Sequence, residues 1–248
     1  RVSDPNETAF SLATRKQGSA IDRAISIGMR AFLRQVKKFN LDEVCLSFIG
    51  FEGSTAHVKR QRSLVGAIVS DHGGFCLGSS PGTLYDQKKF DTPYIRDFLL
   101  DRGAFADVSE TATAWSNLRP LYDSVIDAAN RAFDEIGVLG FVMCHLAHSY
   151  HSGACLYFTF AFRPNDERPA LPQYDVVKHA IQQAFMDAGG TLSHHHAVGH
   201  EHAEWLSQDL SPAGVTMISA LFDGVDPGRH FNPGAIIDSS RTVPHPGV

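Results

Sequence analysis

The 248-residue chain has no long run of lysine or arginine, and its 22 basic side chains are outnumbered by 27 acidic ones, for a formal net charge of -5. It carries no electrostatic footprint for a polyanion, so nucleic acid is not an expected partner. Long hydrophobic runs are missing too: the most apolar stretches, Val138 to Cys144 and Ala154 to Phe162, fall far short of the roughly 20 residues a membrane helix needs. Cysteine is scarce, and Cys45, Cys76, Cys144 and Cys155 lack the close C-x-x-C pairing of a metal knuckle or redox motif. Each sits in an apolar, strand-like run, which predicts buried thiols in a reducing compartment and a soluble, cytoplasmic protein. There is no G-x-S-x-G, no catalytic-cysteine context and no carboxylate dyad, so simple hydrolase chemistry has little support. No glycine-rich phosphate loop follows a strand either, since Gly50-Phe51-Glu52-Gly53 and Gly73-Gly74 fit neither nucleotide fingerprint. The opening Arg1-Val2-Ser3-Asp4, with no initiator Met and no signal-peptide core, reads as a piece of something longer.

What is present is patterned for a mixed fold. Ile21 to Phe39 places apolar residues at helical spacing, and Leu41 to Phe51 reads as a strand. Ser54 caps a second helical pattern over His57 to Val69, and Phe75-Cys76-Leu77 starts another strand after Gly73-Gly74. Tyr94 to Leu100 is helix-like, Ala104 to Thr111 a strand, and Trp115 to Ile136 a long amphipathic helix closed by Gly137. Leu139 to Tyr150 and Gly153 to Phe162, joined by His151-Ser152, predict a hairpin. Beyond the polar, proline-rich loop Pro164 to Pro172, a helix is expected over Tyr174 to Ala188, a strand over Thr191 to His196, and helices over Glu201 to Leu210 and Pro212 to Gly224. Asp226-Pro227-Gly228 and Asn232-Pro233-Gly234 are turn chemistry in an extended tail. The hairpin favours an α+β fold, with helices on one face of an antiparallel sheet, over a doubly wound parallel sheet.

Chemistry concentrates at Ser193-His194-His195-His196-Ala197-Val198-Gly199. With His200 and His202, five of the thirteen histidines fall within nine positions. On a strand, alternation would put His194 and His196 on one side and His195 on the other. His196, His200 and His202 have a ligand-like spacing, but Glu201 is not placed as in H-E-x-x-H, and no metal is expected. The rings can also be satisfied by carbonyls and water, as single histidines commonly are. So tight a cluster favours an active-site wall, in which imidazoles donate hydrogen bonds and move protons near neutral pH.

The hairpin supplies a second candidate. Alternation puts Leu156, Phe158 and Phe160 on a core face and Cys155, Tyr157 and Thr159 on the other, where the Tyr157 phenol serves as acid, base or donor, or packs its ring and wets its hydroxyl. A third is Arg96, after Pro93 at a helix start, suited to a carboxylate or phosphate or to a surface ion pair with Asp97 or Asp101.

In order along the chain, these segments resemble the C-terminal half of FAD-linked oxidases of the vanillyl-alcohol oxidase superfamily: Arg1-Val2-Ser3-Asp4, Phe51-Glu52-Gly53, Gly73-Gly74, Tyr94-Ile95-Arg96-Asp97, Trp115, Gly153-Ala154-Cys155-Leu156-Tyr157-Phe158, the histidine motif, Asp226-Pro227 and Asn232-Pro233-Gly234. The histidine motif is similar to the Ser-His-His-His-Gly-Val-Gly of the alkyldihydroxyacetonephosphate synthase family rather than to the Gly-Glu-His-Gly type of the 2-hydroxy-acid dehydrogenases. Two departures stand out: Ala197 replaces a glycine, so the backbone there must tolerate a Cβ, and His145 stands where the synthases often carry arginine.

The resemblance implies a ferredoxin-like cap domain over residues 1–190 and a helical segment, 191–248, that returns to a flavin domain absent from this chain. It places Tyr157, His194, His195 and His196 at catalytic positions, Arg96 and Arg1 beside the substrate, and Asn232 near the cofactor, FAD, held mainly by that other domain. The implied partners are a small-molecule lipid precursor, the N-terminal FAD-binding domain and, in a homodimer, a second copy. The implied reaction is exchange of acyl for alkyl on dihydroxyacetone phosphate. The rivals are an FAD-dependent oxidase or dehydrogenase of an alcohol or hydroxy acid, and a non-catalytic metal-binding or regulatory module.

Overall fold

The computed structural model describes residues 1–13, 28, 31–36, 38–79, 82 and 94–237. The chain divides into two compact units, Arg1–Arg102 and Gly103–Val248.

In the first unit, a short strand β1 (Val2–Ser3) bridges Ser47 through Val2, with Ser3 N donating to Leu46 O at 2.9 Å. Helix α1 (Pro5–Ala13) follows, and the buried Asp4 carboxylate accepts from the Glu7 backbone N–H at 2.7 Å, satisfying one of the donors a helix start leaves open. Helix α2 (Thr55–Asp71) begins at Ser54, whose Oγ accepts from His57 N, as the sequence predicts. Helix α3 (Tyr94–Leu100) also falls where expected. Two predicted strands do not form. Over Leu41 to Phe51 the chain makes only the bridge at Ser47, because Asn40 turns it, its O and Oδ1 accepting from Glu43 N and Asp42 N. Phe75-Cys76-Leu77 is irregular, and Phe75 packs its ring 5.8 Å from Phe32. The helix expected over Ile21 to Phe39 lies largely outside the described residues.

The second unit is the α+β layer predicted from the hairpin. Strands β2 (Phe105–Ala114), β3 (Gly140–Ser149) and β4 (Gly153–Phe162) are all antiparallel, with β4 between the other two. Helix α4 (Leu118–Ile136) sets Leu121, Val125, Ala129 and Phe133 at four-residue spacing, one apolar stripe at 3.6 residues per turn. Helix α5 (Ala170–Asp187) adds Val177, Ile181 and Phe185, and both stripes pack on Val142, Cys144, Leu156, Phe158, Phe160 and Phe162 of the sheet. Phe158, Phe160 and Phe185 are fully buried, each contributing about 1.5–3 kcal/mol by area removed from water. Close approach of α4 and β3 requires glycine at 140, where a Cβ would sit 2.2 Å from the Phe133 ring.

Some boundaries differ from expectation. Helix α4 is preceded by a single 3-10 turn, Trp115–Asn117, and α5 starts inside the predicted proline-rich loop. Proline is tolerated there because Pro172 falls in the first helical turn, where N–H groups lack intrahelical partners. The helix predicted over Glu201 to Leu210 reduces to a 3-10 turn, Ala203–Trp205, and a short α6 (Leu206–Asp209). Helix α7 (Pro212–Val225) is capped by Ser211. Leu192, Trp205 and Leu206 form a second small core against Met186 of α5, so the polypeptide after residue 190 packs onto the sheet-helix layer. All four cysteines are thiols, but only Cys144 and Cys155 are buried; Cys45 and Cys76 are exposed because the strands expected to bury them do not form.

Candidate active site

Residues directly opposite in an antiparallel pair share a face. Helices α4 and α5 take the face of Phe158 and Phe160. The other face therefore receives Glu110 of β2, Tyr157 of β4 and His145 of β3, which are aligned across the three strands. His145 and Tyr157 stack at 4.8 Å between ring centroids.

The histidine segment is not a strand but a bent loop anchored to β2. Thr191 N donates to Ala112 O at 2.9 Å, its Oγ1 accepts from Ala112 N at 2.9 Å, and Thr111 Oγ1 donates to Thr191 O at 2.7 Å. Gln182 of α5 donates to Leu192 O, and the Leu192 N–H donates to Asp209. Gly190 permits this approach, since a Cβ there would meet Thr111 Oγ1 at 2.5 Å. After these ties the backbone turns through left-handed residues, His195 at φ 64° and Ala197 at φ 60°.

The turn overrides strand alternation and brings all three histidines to one carboxylate. Glu110 Oε1 lies 3.5 Å from His194 Nδ1, and Oε2 lies 3.4 Å from His196 Nε2 and 4.0 Å from His195 Nδ1. The expectation that His195 faces away from His194 and His196 is thus corrected; two positive φ values place it on the shared side. The Glu110 side chain is 3% exposed, and a buried carboxylate is costly without charge or donor partners. One partner is Cys155, whose Sγ–H donates to Oε1 at 2.9 Å. Burial, then the Glu110 carboxylate, pushes the Cys155 thiol far up, so it stays a protonated donor. Around this centre the Tyr150 hydroxyl lies 3.0 Å from His194 Nε2, the edge of Tyr157 meets His196 at 5.7 Å, and His148 lies edge-on to His195 at 4.9 Å.

Glu110 was not singled out in the sequence. The signal was there: a glutamate among the small residues Ser109, Thr111 and Ala112 in the middle of a strand, where an acidic group is rarely buried without partners. Arg1 and Arg96 belong to the first unit, Arg1 ion-paired to Glu7 and Arg96 exposed on α3. Asn232 Oδ1 is 3.3 Å from His200 Nε2, and His202 Nδ1 contacts Ala197 O at 3.0 Å. His196, His200 and His202 therefore do not converge; among the described residues the potential metal-ligand group is Glu110, His194 and His195.

A second polar cluster fixes the loop from the helix side. Asp107 of β2 accepts from the Tyr174 hydroxyl and from Lys178 Nζ at 3.3 Å, while Glu201 contacts Tyr174 at 2.9 Å and Lys178 at 3.6 Å. Burial works to raise the Asp107 carboxyl, but the charge of Lys178 and the Tyr174 hydrogen bond outweigh it and hold it below the usual value. Burial and the two carboxylates keep Tyr174 protonated as a donor.

The sheet with helices on one face and a histidine-rich cluster on the other matches a known domain. The family model "FAD linked oxidases, C-terminal domain" covers residues 1–236, and the chain belongs to that family. It is 35% identical over 241 residues to alkyldihydroxyacetonephosphate synthase of Dictyostelium discoideum, covering 97% of this chain and 39% of that protein. The synthase of Trypanosoma brucei brucei is 32% identical over 239 residues, 96% of this chain and 39% of its own length. A solved structure of alkyldihydroxyacetonephosphate synthase superposes with a TM-score of 0.70 at 31% identity, covering 91% of this chain and 38% of that one. The chain thus spans about two fifths of the length of these relatives. An uncharacterized FAD-linked oxidoreductase of Escherichia coli strain K12 is 26% identical over 152 residues, 59% of this chain and 29% of that protein. Among the described residues, no helix is long and apolar enough to cross a membrane.

Proposed function

We propose that the chain is the substrate-facing C-terminal part of an FAD-dependent, alkyldihydroxyacetonephosphate synthase-like enzyme, in which residues 1–190 cap the reaction site and 191–248 return to a flavin-binding domain. The observation that carries this reading is the convergence of His194, His195 and His196 on buried Glu110, with Tyr157 against His196. That convergence comes from a Ser-His-His-His motif in a chain 35% identical to a synthase.

The donor set suits a flavin reaction: phenol and imidazole groups line one sheet face, and His195 and His196 keep 59% and 30% of their side chains exposed toward a reactant. FAD, when bound, supplies the centre at which the substrate carbon is activated. The exchange itself is redox-neutral. The bond between the dihydroxyacetone phosphate carbon and its acyloxy oxygen breaks, a fatty carboxylate departs, and the alcohol oxygen bonds to that carbon. A proton must leave the substrate carbon and another must leave the alcohol. Tyr157 and the histidines are the groups that accept and return them, and Glu110 offsets the imidazolium charge such a transfer creates. Arg96 and Arg1 are assigned to the phosphate or carboxylate of the substrate.

The test supplies acyl-dihydroxyacetone phosphate and isotope-labelled hexadecanol to the chain joined to its flavin-binding domain. Labelled alkyl product and released fatty acid in equal amounts, with no net flavin reduction, support the synthase reading. The similarity to an E. coli oxidoreductase favours a second reading, oxidation of an alcohol or hydroxy acid; anaerobic flavin bleaching by such substrates without exchange would establish it and overturn the first.

A further inference from the structure

We propose that Glu110, His194 and His195 form a binding site for one zinc-class divalent cation, and that its occupancy inhibits the exchange reaction. The binding stands on geometry alone; the inhibition rests on the role given to the histidines under the proposed function.

One ligand atom from each of the three residues lies within 4.8 Å of the others. The nitrogen-to-carboxylate separations, 3.5 Å for His194 and 4.0 Å for His195, are too long for a normal N–H···O hydrogen bond of roughly 2.7–3.2 Å. They approach the distance between two ligands on one tetrahedral ion. With metal–ligand bonds of about 2.0–2.2 Å that edge is roughly 3.3–3.6 Å; His194 faces Oε1 within it, and His195 faces the other oxygen, Oε2, and needs a movement of a few tenths of an ångström, so the carboxylate takes part through both oxygens.

His194 supplies the independent observation. Its Nδ1 is buried and has no hydrogen-bond partner, while Nε2 sits 3.0 Å from the Tyr150 hydroxyl. When Nε2–H donates to the Tyr150 oxygen, Nδ1 carries a lone pair that points at a carboxylate oxygen. Two acceptors facing each other in a buried place repel unless a cation or proton lies between them. The same contact is the outer hydrogen bond that metal-bound histidines use to fix ring and tautomer, and Cys155 does this for the carboxylate by donating to Oε1.

Two imidazoles and one carboxylate are a zinc-type donor set, and three protein ligands leave a coordination position open. His195, with 59% of its side chain exposed, gives the ion a way in. A bound ion takes the nitrogen lone pairs that proton transfer needs, so metal and turnover compete.

The full chain, stripped with chelator and dialysed, is titrated with Zn²⁺ against a chromophoric chelator, and separately with Co²⁺ while visible absorption is recorded. One equivalent of zinc per chain is expected, with Co²⁺ giving the intense bands of a tetrahedral nitrogen and oxygen site. Affinity is expected to fall about tenfold or more in Glu110→Gln, His194→Gln and His195→Gln and to stay unchanged in His72→Gln, a surface control. Failure to bind zinc in competition with the chelator, a sulfur-to-cobalt charge-transfer band, or unchanged affinity in Glu110→Gln overturns the site. The cobalt spectrum of the unaltered protein decides the ligand type even where a variant fails to fold. Zinc that binds while leaving alkyl exchange at full rate overturns the inhibition alone. Absence of any exchange overturns the proposed function and leaves the binding result standing.

Discussion

Replacing Ala197 by glycine is expected to stabilise the second unit, with a sign that reports on the bent loop carrying the histidines. Ala197 sits at φ 60°, in the left-handed region that costs a residue with a Cβ roughly 1–2 kcal/mol. Glycine removes that cost but gains freedom in the unfolded chain, which takes back about 0.4–1 kcal/mol. The methyl group is exposed, so its loss leaves no cavity, and the carbonyl that accepts from His202 is a backbone group that glycine retains. The balance is a gain of about 0.5–1 kcal/mol, or roughly 1–4 °C in the thermal midpoint of a unit this size. Urea unfolding read by far-ultraviolet circular dichroism and by tryptophan fluorescence measures it. A loss of about 0.5–1 kcal/mol is what glycine costs inside a strand. That outcome would refute the left-handed turn and restore the alternation that separates His195 from its neighbours.

Gly153→Ala is expected to destabilise the protein by about 1–3 kcal/mol in the same assay, because a Cβ there would lie 2.0 Å from Thr113 O across the β2–β4 pair; an unchanged midpoint would contradict that register. Thiol labelling followed by mass spectrometry is expected to modify exposed Cys45 and Cys76 in the native protein, and Cys144 and Cys155 only on unfolding, since Cys155 is both buried and held protonated. Native-state labelling of Cys155 at a rate matching Cys45 would remove its role as a donor to Glu110. Against burial, the Lys178 charge and the Tyr174 hydrogen bond hold the Asp107 carboxyl below its ordinary value of 3.8 in the folded state. Its contribution is therefore fully present above that value and is lost as pH falls through the lower folded pKa. The stability gap between the protein and Asp107→Asn should be flat above about pH 5 and shrink in stronger acid, and a gap that widens on acidification would contradict the Lys178 pairing. Within the proposed function, Tyr157→Phe is expected to lower kcat of alkyl exchange by about 10²-fold or more while leaving KM for the acyl substrate near its original value; a full rate would remove Tyr157 from proton handling.

The layer that carries the site was legible because its signals are local and redundant. The stripe Leu121, Val125, Ala129 and Phe133, the αL glycine at 137 and the alternation Leu156, Phe158, Phe160 each point to one element, and the elements agree on one buried face. The misread segments had a single signal each. Leu41 to Phe51 and Phe75 to Leu77 are apolar enough for strands, but apolarity does not supply a neighbour to pair with, and the Asn40 turn diverts the first. At Thr191 to His196 the strand reading had little apolar pattern behind it, and the loop is shaped by hydrogen bonds with Thr111, Gln182 and Asp209, between 10 and 80 residues away.

The sequence by itself determined that this chain carries an α+β layer of the FAD linked oxidases and pointed to Tyr157 and a histidine triplet as its candidate site, because pattern and motif are written in neighbouring residues. Only the tertiary structure decided that the three histidines face together, and that they face Glu110. That meeting depends on two positive φ values and on a strand more than 80 residues upstream. No periodicity encodes a left-handed turn in residues other than glycine, and no local pattern joins a buried carboxylate to partners so far along the chain.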